Sequence, residues 1–164
     1  MKITTNRSSK ILNNIVLVGI VLTLLLLIGT PLVLTAFFKT QSLIEDSNIV
    51  SIITVAIYIC AIPYVYALVL LKKLCELVAN KNPFSPRVPV ISKKIAMCAF
   101  SEVILFNGVT IFLCYFYDMY LYALTIFSCI IVSFVSIAIG FMSLVSSKLF
   151  EMAIEIKDEN DKTI

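Results

Sequence analysis

Glu102 is the residue of this chain best placed to do chemistry. It is the only formally charged side chain inside four long apolar runs, at 11–38, 49–71, 95–117 and 119–147. A charged group at membrane depth costs on the order of 3 kcal/mol by insertion scales, so it marks a proton path, an ion path or a partner. Protonated and released in turn, Glu102 would suit a small oligomeric transporter or channel. A structural role is the alternative. Seven residues past Ile95, Glu102 lies roughly 10 Å along a helix, shallow enough to meet headgroup water or a base such as Lys94. Asn107 is rotated about 140° from Glu102 around a helix and does not share its face.

The other chemistries are poorly supplied. The chain has no histidine, which removes Ser-His-Asp and Cys-His nucleophile pairs and any mixed Cys/His metal site. Cys60, Cys75, Cys98, Cys114 and Cys129 are scattered with no C-x-x-C spacing, so neither a zinc site nor a disulfide framework is expected. Four of them lie in the apolar runs, where a thiol acts as a small hydrophobe. With only four glycines there is no phosphate-cradling loop. These absences point away from an enzyme and imply no metal and no cofactor. The bases Lys72, Lys73, Lys81, Arg87, Lys93 and Lys94 invite a nucleic-acid reading. Beside a bilayer, however, anionic lipid is the nearer partner, and no direct nucleic-acid binding is expected.

Four elements must position these groups. The hydrocarbon core is about 30 Å thick, and about 20 apolar residues cross it as a helix. The runs are 28, 23, 23 and 29 residues long, so each can span, the longer two with tilt or overhang. Lipid offers the backbone no hydrogen bonds, so the spans are helices. The expected fold is all-α: one polytopic membrane domain over 1–164, with four transmembrane helices in an antiparallel bundle. The first run is too long for the apolar region of a cleaved signal peptide, so it reads as an anchor. Of 13 bases, 12 fall in the N-terminal arm, the hairpin 72–94 and the tail 148–164; only Lys39 lies on the other side. The positive-inside rule then puts both termini and the hairpin in the cytoplasm of a cell-membrane protein.

Small residues mark where helices can approach. In the fourth run Cys129, Ser133, Ser136, Gly140, Ser143 and Ser147 recur at alternating spacings of four and three, one seam on a helix. The first run repeats the idea with Gly19, Thr23 and Thr30, and the second with Ala56, Cys60, Pro63 and Ala67. Packing within one bundle explains such seams; a homo-oligomer face or the wall of a polar pathway are the sharper alternatives. Pro31 and Pro63 lie inside helical runs and predict kinks, with Pro31 also able to end the first helix. Tyr115, Phe116, Tyr117, Tyr120 and Tyr122 surround Asp118 and fit an interfacial aromatic belt.

The hairpin is the most distinctive polar segment. Leu71, Leu74, Leu77 and Val78 predict an amphipathic extension of the second helix. Asn80-Lys81-Asn82-Pro83 breaks it. Ser85-Pro86 reads as an N-cap followed by proline at the first helical position. Phe84 is expected to plug back against the bundle, and Pro89 to limit the start of the third helix. The tail reads as helix to Lys157 and as fraying beyond.

In this segment the chain resembles an uncharacterised family of bacterial four-span membrane proteins, a domain of unknown function. The carrying residues are Leu74 and Leu77, the turn Asn82-Pro83-Phe84-Ser85 and the basic lead-in 91–95, since members show a similar N-P-F-[ST] turn between spans two and three. Members are often encoded beside a small helix-turn-helix regulator, so the resemblance implies a regulatory partner and supplies no catalytic residues. Together these features predict a non-enzymatic regulatory or partner-binding membrane protein acting through Asn82, Pro83, Phe84 and Ser85. A transporter using Glu102 is the alternative, and self-protection against a membrane-active agent a further one.

Overall fold

A computed structural model describes residues 2–41, 47–79, 84–117 and 123–162. The described chain is four helices: α1 (Lys2–Gln41), α2 (Ser47–Ala79), α3 (Arg87–Phe116) and α4 (Ala123–Lys162). No strand occurs among the described residues. All four helices are long and apolar enough to cross a membrane.

The helices overrun the apolar stretches that nucleate them. α2 continues past the lipid-length run and is described as far as Ala79; the Asn-Lys-Asn-Pro breaker lies outside the described residues. Its extension carries a Lys72–Glu76 pair at 3.7 Å, one turn apart. The tail does not fray at Lys157: α4 is unbroken to Lys162, with Lys148 and Glu151 paired at 3.3 Å. Both pairs are solvent-exposed and contribute little individually.

The start of α3 also corrects an expectation. Pro89 does not hold the helix back, because α3 begins at Arg87 and places Pro89 in its first turn. An amide there has no intrahelical acceptor, so its absence costs nothing. Ser85 Oγ accepts the Arg87 amide at 3.4 Å, and Ser85 O accepts the Val88 amide at 2.9 Å. Pro86 already has helical backbone angles, φ −61° and ψ −8°. Helical backbone angles thus begin at Pro86, one residue before α3, with Ser85 preceding it.

Pro31 does not end α1, which runs on to Gln41. Proline at 31 deprives the Leu27 carbonyl of its amide donor one turn back. The Tyr58 hydroxyl of α2 donates to that carbonyl at 3.1 Å. The proline therefore creates the acceptor that ties α1 to α2. Tyr58→Phe is expected to cost roughly 0.5–1 kcal/mol, typical of an interhelical hydrogen bond in a membrane. In a Pro31→Ala background the same change should cost nothing, because the restored amide takes the carbonyl back. A double-mutant cycle of unfolding in mixed micelles measures the difference; equal costs in both backgrounds would refute the coupling.

The helices pack in chain order. α1 lies on α2, α2 on α3 and α3 on α4, and no other pair packs among the described residues. The result is a row rather than a bundle closed around a shared centre. Contacts between α3 and α4 pair Asn107 with Ser133, Phe100 with Gly140 and Pro89 with Ser147. Position falls along one helix as it rises along the other, so the two are antiparallel. The tightest core is the N-terminal half of α3, where Val88, Ile95, Ala96 and Ala99 are buried, with Leu70 and Cys75 buried on α2. Elsewhere most large apolar side chains point outward. Lipid tails are as apolar as leucine, so nothing drives those side chains inward.

Candidate functional site

α3 carries Glu102 halfway along its length. Glu102 Oε2 is buried and has no hydrogen-bond partner. No ion pair reaches it among the described residues. Lys94, eight residues back, is roughly 12 Å away along the axis and lines a different cleft.

Glu102 lines a groove of about 510 Å³ floored by α3 and walled by α2 and α4. Ala56, Cys60 and Tyr64 line it from α2, and Val135, Ser136 and Ile139 from α4. The groove exists because α2 and α4 flank α3 without packing on each other. Apart from Glu102, its lining is almost wholly apolar. A lone carboxyl group can hold a hydrogen bond, pair with a cation or move a proton. It has no second carboxylate or base opposite it for acid–base hydrolysis, and no group of potential metal ligands forms among the described residues.

The small-residue seam of α4 faces α3. Ser133 Oγ accepts from Asn107 Nδ2 at 2.8 Å, and Asn107 Nδ2 also donates to the Val103 carbonyl at 2.7 Å. Gly140 is buried against the Phe100 ring. Ser147 is buried and donates to the Pro89 carbonyl at 2.9 Å. Ser136 turns toward the Glu102 groove, and Ser143 is half-buried. The α1 positions behave differently. Gly19 has open space where a Cβ would stand, and Thr23 and Thr30 spend their hydroxyls on carbonyls of their own helix. In α2, Ala56 and Cys60 are buried.

Residues 34–164 match the family described as protein of unknown function (DUF2975). The chain belongs to that family. The match takes in α2, α3 and α4 whole, and so the groove, the seam and the hairpin turn; most of α1 precedes it. No curated protein and no solved structure matches the chain.

Within the family region, the hairpin turn is only partly described. Asn82 and Pro83 lie outside the described residues. Ser85 is buried and starts α3. Phe84 does not plug into the helices: it stays 45% exposed, with Lys157 Nζ of α4 over its ring at 5.7 Å. A cation stacked on an aromatic face is a favourable but modest contact. At the opposite end Tyr115, Phe116 and Tyr117 are exposed, while Asp118, Tyr120 and Tyr122 lie outside the described residues.

Two features of the site were invisible in one dimension. Cys60 and Tyr64 carry no signal that they face Glu102, since only the α2–α3 register decides it. Phe100 is one apolar residue among many until Gly140 is set beneath it.

Proposed function

We propose that this is a non-enzymatic membrane protein that works by binding another membrane protein, and that Glu102 is its recognition group. The observation that carries this reading is a buried, unpartnered oxygen on Glu102, a residue that lines an otherwise apolar groove. An unsatisfied buried polar group costs roughly 1–3 kcal/mol. A transmembrane helix laid between α2 and α4 would cover the groove and supply the missing partner. No other formal charge lies in this chain's apolar runs. Charge complementarity therefore favours a helix of a different polypeptide, carrying a basic or amide side chain at the same depth.

Among the described residues of the hairpin turn, Phe84 presents a half-exposed ring and Ser85 is buried, which supports partner binding less well. A soluble regulator of the helix-turn-helix type could reach that end of the molecule but not Glu102. The reading keeps both termini in the cytoplasm, on the basic-residue balance; a reporter enzyme fused after Ile164 and active only outside the membrane would overturn that orientation.

A photo-crosslinking residue at Val135 or Ile139 in native membranes tests the groove. The expected product joins it to one transmembrane segment bearing a basic or amide side chain, and Ile104, exposed and outside the groove, should give none. Products with lipid alone, or with a second copy of this chain, would refute the proposal. Proton or cation flux by the purified protein in liposomes, abolished by Glu102→Gln, would replace it with the transporter reading.

A further inference from the structure

We infer that the cleft between α2 and α3 at their basic end binds the phosphate headgroup of an anionic phospholipid. The cleft measures about 550 Å³ and is separate from the Glu102 groove. Lys73 of α2 and Arg87 and Lys94 of α3 line it, with Glu76 the one acid. Glu76 is paired with Lys72, one turn back on α2. Lys73, Arg87 and Lys94 have no ion-pair partner among the described residues and are exposed. Three unpaired cations on one cleft repel each other, and an anion between them relieves that repulsion.

The rest of the lining says which anion. Tyr66, Leu70, Leu77, Val90 and Ile91 form an apolar wall between the bases. Tyr66 and Val90 are about half exposed, so the wall is continuous with the lipid-facing surface. Both helices are candidate membrane spans along this stretch. A free phosphate would use the bases and leave that wall bare. A glycerophospholipid uses both, with its phosphate on Lys73, Arg87 and Lys94 and its glycerol and first methylenes along Tyr66, Val90 and Ile91. Basic pockets between membrane helices are a recurrent seat for such headgroups.

The test uses the whole protein, delipidated in neutral detergent and titrated with phosphatidylglycerol or phosphatidylcholine, with bound lipid counted by native mass spectrometry. Phosphatidylglycerol is expected to bind in preference to phosphatidylcholine. Each single change, Lys73→Gln, Arg87→Gln or Lys94→Gln, should weaken it about fivefold, as loss of one near-surface base does. The triple variant should weaken it more than tenfold, and the single variants carry the test if the triple variant fails to insert. Removing the same charge from α4, by Lys148→Gln, Lys157→Gln and Lys162→Gln together, should change nothing. Equal loss in that control would reduce the effect to general surface charge and overturn the site. Displacement of the lipid by millimolar inorganic phosphate would assign the cleft to the free anion instead, and no preference between the two lipids would remove it altogether.

Discussion

Glu102→Leu is expected to make the isolated protein more stable and to abolish partner capture. Leucine is larger than glutamate by about one methylene, which the adjoining groove has room for, and it removes an oxygen that is buried without a hydrogen bond. Relief of that unsatisfied group is worth roughly 1–3 kcal/mol, and unfolding in nanodiscs would read it as a raised midpoint. Crosslinking from Val135 and Ile139 should disappear in the same protein. Opposite signs for stability and binding would identify a group kept for recognition, since a purely structural residue loses stability when it is replaced. Glu102→Gln separates two kinds of partner. It retains hydrogen bonding, so capture should survive if the partner group is an amide and fall if it is a cation. A Glu102→Leu protein less stable than the parent would mean that the carboxyl group already has a structural role within the chain.

Gly140→Leu should be the most destructive single change in the helix row. A Cβ at Gly140 would stand 2.8 Å from both Cε1 and Cζ of Phe100. The Phe100 ring is also held edge-on against Phe141, with centroids 5.6 Å apart and planes at 83°. It can yield a few tenths of an ångström to alanine, but not to a branched side chain. Overpacking of this kind costs roughly 1–3 kcal/mol. Forcing α3 from α4 would also strain the Ser147–Pro89 and Asn107–Ser133 hydrogen bonds on either side. Phe100→Ala in the Gly140→Leu background should restore much of the loss. Gly108→Leu and Gly29→Leu, where nothing lies within 4 Å of the added Cβ, should be near neutral. Unfolding in mixed micelles compares the four proteins. If Gly140→Leu were no worse than Gly108→Leu, the close approach at Phe100 would be disproved.

Much of the local structure is legible in the sequence. Lipid-length apolar runs become helices because the bilayer leaves the backbone no other partner. The start of α3 beside Ser85-Pro86 follows from cap chemistry, which acts over one turn. Three residues behave differently from what their types predict. Pro31 and Pro89 look like stop signals by type. Pro89 falls in a first turn that needs no amide, and the carbonyl freed by Pro31 is served by Tyr58 from the next helix. Phe84 looks like a core residue by type, yet it stays half exposed under Lys157, because the α4 helix continues far enough to bring that cation to it.

The small-residue positions divide along the same line. Small residues at spacings of three and four identify faces on which two helices could come close. They do not say which faces do, and Gly19 and Gly140 have the same side chain with opposite surroundings. Spacing, charge balance and length sufficed for four membrane helices and for a lone carboxyl among them, because those are properties of one chain in one solvent. Only the tertiary structure decided that the helices stand in a row, that α2 and α4 leave a groove over Glu102, and that Lys73, Arg87 and Lys94 share a cleft. Those relations depend on the register and rotation of one helix against the next, and lipid, being as apolar as the helix faces, leaves that choice to packing and a few hydrogen bonds.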